Sequence, residues 1–364
     1  MTGQSTAPGP GTTPIRLLPG TDEHTGRPVA EDAAGPLEFF RQHGSRSYHQ
    51  FPLDELRAAF AKIAVDAPLR EDPTLPAPRW RDFDRGEFVV RVYDPRPEIE
   101  ADNPTPGVFF FHGGGWVMGD VDTHHPIANR WAARTGLPVA AISYRLAPEH
   151  PYPAAIEDSR AGLAWFLDHS AEHGLKVTSV SLGGDSAGGT LAAVLSNELA
   201  AAAAPRGGAV PPDRQVLIYP AVDASRGGAE NPSKRRLERG FPMTTETVGF
   251  FSDSFLPEGV DRTARDISPL LHELPAGLPD SYVLTVDNDP LADEGIDYAG
   301  KLAKSGAYVY HEHLPGYAHG IFSSAGVIPT GERYINEAAD FVAARAGLGR
   351  ARREAGRGAT PTQN

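Results

Sequence analysis

Val177-Thr178-Ser179-Val180-Ser181-Leu182-Gly183-Gly184-Asp185-Ser186-Ala187-Gly188-Gly189-Thr190 decides how this chain folds. Residues 177–182 alternate as a strand should, and the alanine-rich residues 190–204 have the composition of a helix. Between them, Gly184-Asp185-Ser186-Ala187-Gly188 fits G-x-S-x-G, a sharp strand-to-helix turn that projects the serine hydroxyl above a sheet. Glycines flank the serine because a side chain there would collide with the neighbouring strand or helix. In a chain with 39 glycines this pattern also arises by chance, so a second string matters.

That string is His112-Gly113-Gly114-Gly115-Trp116, directly after the apolar run Val108-Phe109-Phe110-Phe111. A tetrahedral acyl intermediate carries an oxyanion and needs backbone N–H donors aimed at it from a water-poor cleft. Three consecutive glycines leave the backbone bare enough for that approach. One donor is expected from the residue after the nucleophile, Ala187, and the others from the glycine loop, Gly113 and Gly114. His112 reads as a brace for the loop, since a base ahead of the serine would break the usual chain order of serine, acid and histidine.

A serine hydroxyl becomes a nucleophile when a histidine takes its proton and a carboxylate fixes the imidazole tautomer. Of the 13 histidines, His272, His311, His313 and His319 follow Ser186. His311 and His313 sit on one face of a strand pattern and read as surface or packing residues. His319 lies in the loop Leu314-Pro315-Gly316-Tyr317-Ala318-His319-Gly320, just past a strand's carboxyl end, where open α/β sheets place their ligands. The strand pattern Ser281-Tyr282-Val283-Leu284-Thr285-Val286 runs into Asp287-Asn288-Asp289, and position alone leaves Asp287 and Asp289 in competition. Asp293 and Glu294 fall in the first turn of the next helix, where carboxylates favour the helix N-terminus.

These residues resemble the hormone-sensitive-lipase group of α/β hydrolases, the bacterial family IV carboxylesterases. The resemblance rests on the two glycine strings, on Tyr144-Arg145-Leu146-Ala147-Pro148-Glu149-His150-Pro151-Tyr152-Pro153-Ala154, on Asp289-Pro290-Leu291-Ala292-Asp293-Glu294-Gly295 and on His319-Gly320. It covers most of residues 83–345 and implies a catalytic triad of Ser186, Asp289 and His319, selecting Asp289 over Asp287. It also implies an oxyanion hole from Gly113, Gly114 and Ala187. Ala292, Thr190 and Ile321 depart from the family's usual residues, and none of them touches a reacting group. The Tyr144–Ala154 segment, with its tight Pro-rich path, reads as scaffold.

Alternating strand and helix patterns between residues 83 and 345 imply a mostly parallel sheet covered on both faces, and the resemblance makes it the eight-stranded α/β-hydrolase sheet. The first pair of strands, around Phe83 and Val90, is joined by the tight Asp84-Arg85-Gly86 turn and should be antiparallel. The expected organisation is a flexible extension over residues 1–33, a catalytic core over 83–223 and 268–345, and a flexible tail over 346–364. Residues 34–82 and 224–267 lie outside the alternation, and the resemblance makes them a helical cap. The Phe241, Met243, Phe250, Phe251 and Phe255 stripe reads as core packing, with the resemblance adding a face toward the pocket.

With 364 residues the chain suits one large α/β domain with a cap. The absence of cysteine excludes disulfides, cysteine nucleophiles and thiolate metal sites. A net charge of −13 argues against nucleic acid or an anionic membrane as partner. Lys234-Arg235-Arg236 reads as a solvated loop. Residues 1–30 lack a signal-peptide core, which makes a cytoplasmic protein the expectation.

The expected activity is hydrolysis of a small-molecule carboxylic ester, of short to medium acyl chain or aromatic as is usual for the family, with no metal or organic cofactor. Lactone, amide or carbamate hydrolysis would use the same triad. A non-catalytic receptor on the same fold is the rival, as in the plant gibberellin receptors, where the triad histidine is lost. A monomer or a homodimer is expected, since residues 307–314 read as an edge strand through which family members pair.

Overall fold

The computed structural model describes residues 26–66, 68–97, 103–203, 211–225 and 231–345. Its eight strands form one sheet: β1 (Arg79–Asp84), β2 (Val89–Asp94), β3 (Thr105–Phe111), β4 (Val139–Ser143), β5 (Val177–Asp185), β6 (Arg214–Ile218), β7 (Asp280–Asn288) and β8 (Val309–Ala318). Their order is β1-β2-β4-β3-β5-β6-β7-β8. The β1–β2 and β2–β4 pairs are antiparallel and the rest parallel, with Phe83 opposite Val90 as the hairpin reading requires. In that hairpin Gly86 has φ +87°, and its N–H donates to Asp84 Oδ1 at 2.8 Å.

Strand alternation sends neighbouring residues to opposite faces, and both faces are buried. Phe109 and Phe111 join one core with Leu163 and Phe166 of α4 (Ala154–His169), Leu191 of α5 (Ala187–Ala203) and Tyr298 of α8 (Ala292–Lys304). Val108 and Phe110 join the other, with Trp131 of α3 (His125–Thr135) and Ile335 of α9 (Pro329–Arg345). Each such fully buried large apolar side chain contributes about 1.5–3 kcal/mol of transfer free energy.

Helices α1 (Glu31–Gln42) and α2 (Leu53–Asp66) precede the sheet, and α6 (Pro232–Arg236) and α7 (Thr245–Phe255) lie between β6 and β7. The two groups pack on each other. Leu37 of α1 clusters with Leu237 and Phe241, the Ser47 hydroxyl donates to Phe241 O at 2.9 Å, and Tyr48 N–H donates to Pro242 O at 3.1 Å. Leu56 and Phe60 of α2 are buried in the core of the sheet's first face.

Three boundaries differ from the sequence reading. Residues 26–33, assigned to a flexible extension, are tied to the sheet: Ala30 N–H donates to Gly316 O at 3.0 Å and Arg27 N–H to Asn288 Oδ1 at 2.7 Å. β1 begins at Arg79, inside the stretch assigned to the cap, because its residues pair with β2 along their whole length. β8 continues to Ala318 through the stretch read as a loop, with Ala318 opposite Asn288. The flexibility expected for residues 1–25 and 346–364 concerns residues outside those described. No helix among the described residues is long and apolar enough to cross a membrane.

Candidate active site

β5 ends at Asp185, α5 starts at Ala187, and Ser186 alone makes the turn. Its φ of +54° is a left-handed conformation that costs a non-glycine residue energy. The turn is held by Ser186 N–H donating to Ile218 O at 2.8 Å and Thr190 N–H donating to Ser186 O at 3.1 Å. The flanking glycines are steric requirements. A Cβ on Gly188 would collide with Phe111 O, and one on Gly184 with the Gly188 carbonyl group.

Because β7 and β8 run parallel to β5, their carboxyl ends reach the same edge of the sheet. Asp289 directly follows β7 and His319 directly follows β8. His319 Nε2 lies 2.9 Å from Ser186 Oγ and Nδ1 lies 2.7 Å from Asp289 Oδ2. Asp289 is fully buried and its Oδ1 accepts Leu291 N–H at 2.8 Å, so both carboxylate oxygens are held. The Tyr219 ring tilts against the imidazole with centroids 4.5 Å apart. The sequence reading missed Tyr219, and its place right after β6, whose end neighbours β7, was the available signal.

The rival aspartate is engaged elsewhere. Asp287 lies within β7, accepts Gly316 N–H at 3.1 Å, and sits 3.0 Å from His313 Nε2. His313 Nδ1 and His311 Nε2 both contact the Thr285 hydroxyl, at 2.8 and 2.9 Å, so this pair packs against β7 and is remote from the serine's hydrogen bonds.

One expected oxyanion donor has to be corrected. Gly113 N–H donates to Asp185 Oδ1 at 2.9 Å, so it is not available to an oxyanion. Among the described residues no hydrogen bond occupies the N–H of Gly114, Gly115 or Ala187. Gly115, Ser186 and Ala187 line one narrow cleft, and the loop's unoccupied N–H groups begin at Gly114, one residue along from the sequence reading. The conformation explains the glycines: Gly114 has φ +119° with Met118 O where a Cβ would stand, and Gly115 has φ +61° with the Phe251 ring there.

Buried polar groups carry this loop. His124 Nε2 lies 3.3 Å from Asp185 Oδ1. Burial opposes ionisation of Asp185, but His124 and the Gly113 N–H together hold its carboxyl below the usual carboxylate value. His112 Nδ1 contacts Gly113 O at 2.7 Å, its ring stacks on Tyr144 at 4.2 Å, and burial lowers its pKa to about 4, which keeps it neutral. These contacts fit a brace. The Tyr144–Ala154 segment supports the same loop: Tyr144 OH donates to His112 O at 2.8 Å and Ala147 N–H to Trp116 O at 2.8 Å. Arg57 of α2 donates to Val117 O and Ala147 O, at 2.8 and 3.0 Å.

A largely apolar cavity of about 280 Å³ reaches His319 beneath α1 and α2, with Phe40, Phe60, Ile63 and Phe241 in its wall. The serine itself lines a separate cleft of about 20 Å³, with Gly115, Ala187, Met243, Phe251 and Leu291. The aromatic stripe therefore divides: Phe241 lines the cavity, Met243 and Phe251 the cleft, and Phe255 is buried with its ring stacked on Trp116 at 4.5 Å. Beside the cleft, Lys234 is buried with its Nζ 2.8 Å from Glu294 Oε2, which corrects its reading as part of a solvated loop. Burial pushes the Glu294 carboxyl up to about 7, against the pull of Lys234. Glu294 Oε1 accepts Val222 N–H at 2.8 Å, fastening the segment after β6 to α8.

Residues 108–323 match the family model described as alpha/beta hydrolase fold. Among similar proteins, the carboxylic ester hydrolase LipN of Mycobacterium tuberculosis is 37% identical over 240 residues, 65% of this chain and 62% of LipN. The esterase LipI of the same organism is 36% identical over 284 residues, 75% of this chain and 85% of LipI. Among solved structures, an ester hydrolase from the metagenome of Lake Arreo, in complex with a bipyridine phosphonate derivative, has a TM-score of 0.77 at 32% identity and covers 88% of this chain and 99% of its own. The hyperthermophilic esterase of Pyrobaculum calidifontis has a TM-score of 0.74 at 29% identity, covering 87% and 99%. Sheet order, serine turn and family match agree: the chain belongs to the α/β hydrolases, in the hormone-sensitive-lipase group.

Proposed function

We propose that this protein is a serine carboxylesterase acting through an acyl-enzyme. The observation that carries the reading is the unbroken line from Asp289 Oδ2 through both imidazole nitrogens of His319 to Ser186 Oγ, with contacts of 2.7 and 2.9 Å. Ser186 Oγ attacks the ester carbonyl carbon as His319 Nε2 takes its proton. The carbonyl oxygen becomes the oxyanion and meets the N–H groups of Ala187, Gly114 and Gly115, each such donor supplying about 3 kcal/mol in the transition state. Breaking the carbon–oxygen bond releases the alcohol, which takes the proton from His319. Water then attacks the acyl-enzyme with the same base, freeing the acid and restoring Ser186. Asp289 holds the Nδ1–H tautomer and stabilises the imidazolium formed in each half. The names of the related ester hydrolases support an ester as the acyl donor.

Turnover of p-nitrophenyl acetate by the wild type and Ser186→Ala tests this. The variant should fold normally and lose kcat by up to about 10⁶. Wild-type-like turnover by the variant would overturn the assignment.

A further inference from the structure

We infer that the cleft holding Ser186 is built to take an ammonium group, so that among esters of equal size the protein prefers those whose acyl portion carries one. The inference rests on the serine-esterase reading and deepens it. Besides Gly115, Ser186 and Ala187, that cleft is lined by Asp223, Ser252 and Glu294. Asp223 is only 8% exposed. Its Oδ1 accepts Ser225 N–H at 2.9 Å, whereas Oδ2 and the Ser252 hydroxyl have no hydrogen-bond partner among the described residues. A buried carboxylate with an open oxygen is costly unless a cation or a donor meets it. The neighbouring cation of the chain is already engaged: Lys234 Nζ lies 2.8 Å from Glu294 Oε2 and reaches only the backbone oxygen of Asp223, at 3.4 Å.

The charges around the cleft do not balance. Asp223 and Glu294 supply two carboxyls, and Lys234 supplies one ammonium. Burial raises the Glu294 carboxyl to about 7, and the Asp223 charge adds to that rise. At pH 8 Glu294 is therefore ionised and matched by Lys234, which leaves Asp223 as an unmatched negative charge. Its backbone is pinned on both sides, so the carboxylate is held in place. Val222 N–H and Asp223 N–H donate to Glu294 Oε1 at 2.8 and 3.2 Å, and Ala224 N–H donates to Ser268 Oγ at 2.9 Å. The cleft of about 20 Å³ has room for about one water-sized group, the size of an ammonium, whose N–H donors suit Asp223 Oδ2 and Ser252 Oγ. The acyl group stays bonded to Ser186 through both halves of the reaction, so it is the part of the substrate that presents the ammonium. The net charge of −13 favours the approach of such a cation.

Benzyl 3-aminopropanoate and benzyl butanoate are isosteric, with an ammonium in the first where the second has a methyl group. At pH 8, with the full-length chain and each rate divided by that of alkaline hydrolysis of the same ester, the amino ester should have the higher kcat/KM by about ten- to hundredfold, the worth of a hydrogen bond to a charged group. Asp223→Asn keeps an oxygen for Ser225 N–H and removes the charge, and should lower that ratio by at least about tenfold. Asp223→Ser, whose hydroxyl also accepts such an N–H, serves if the first variant does not fold. A role confined to holding the turn would change both rates alike and leave the ratio where it was. Equal rates for the two esters in the wild type would overturn the inference. So would an unmoved ratio in a folded variant, or benzyl 3-hydroxypropanoate cleaved as fast as the amino ester, since its hydroxyl carries no charge. With p-nitrophenyl acetate still cleaved, those outcomes leave the serine-esterase reading standing. Failure to cleave p-nitrophenyl acetate as well removes both.

Discussion

Asp289→Asn keeps the shape of the side chain and changes only which atoms donate. Oδ1 accepts Leu291 N–H and Oδ2 faces His319 Nδ1, at 2.8 and 2.7 Å. An amide offers one acceptor oxygen and an NH₂ that only donates. If the oxygen stays on Leu291 N–H, the NH₂ faces His319 Nδ1, and the neutral imidazole must carry its proton on Nε2. That nitrogen, 2.9 Å from Ser186 Oγ, then has no lone pair for the serine proton. Flipping the amide restores the productive tautomer but sets NH₂ against a buried N–H, at a cost of about 1–3 kcal/mol. At 1.36 kcal/mol per tenfold, this lowers the productive population by roughly ten- to hundredfold. The imidazolium also loses a charged, buried partner worth about 1.5–3 kcal/mol, a similar factor again. The product is a fall in kcat of about 10²–10⁴, the upper end being the effect known for an amide in place of a triad acid. Steady-state kcat on p-nitrophenyl acetate, with circular dichroism melts as a folding control, measures it. Asp287→Asn is the paired variant, since Asp287 contacts His313 and Gly316, and it should stay within about tenfold of wild type. An Asp289→Asn enzyme within tenfold of wild type, or an Asp287→Asn enzyme that falls further, would refute the reasoning.

Gly114→Ala places a Cβ on the carbonyl oxygen of Met118 at φ +119°, so the loop must move and its oxyanion donor with it. Its kcat should fall by about 10²–10³, and an unchanged kcat would remove Gly114 from that role. Lys234→Met leaves Glu294, fully buried, without its cation and should cost about 3–5 kcal/mol in urea denaturation at pH 8. The double variant Lys234→Met/Glu294→Gln should recover most of that loss. The single variant's loss should shrink toward pH 5. A carboxyl whose folded pKa is raised from 4.5 to about 7 contributes fully below 4.5 and loses that contribution as pH rises through about 7. A loss under 1 kcal/mol at pH 8, or one that grows on acidification, would contradict the reading of this pair.

The elbow and the strand–helix alternation were legible in the sequence because they depend on neighbours: Ser186 needs Gly184 and Gly188 against the adjacent strand, all within one turn. The two aspartates were not separable by pattern. Asp287 and Asp289 lie two residues apart at the end of one strand, and their partners His313 and His319 are more than twenty residues further on. The loop's glycines look alike in sequence, and nothing local shows that Asp185 claims the N–H of Gly113. Lys234 looked solvated beside Arg235 and Arg236, since nothing local announces that Glu294, sixty residues on, draws it inward. Arg27 to Ala30 likewise seemed free because their partners, Asn288 and Gly316, belong to the last two strands.

The central claim is that Ser186, activated through His319, forms a covalent bond to the substrate's reacting centre. Peptide mass mapping after incubation with a p-nitrophenyl alkylphosphonate reads this directly. The account predicts one phosphonyl group per chain, on Ser186, with one equivalent of p-nitrophenol released, activity lost in step, and no adduct in Ser186→Ala. An unmodified Ser186 in a fully active enzyme, or an adduct on another residue with activity lost in proportion, would contradict it.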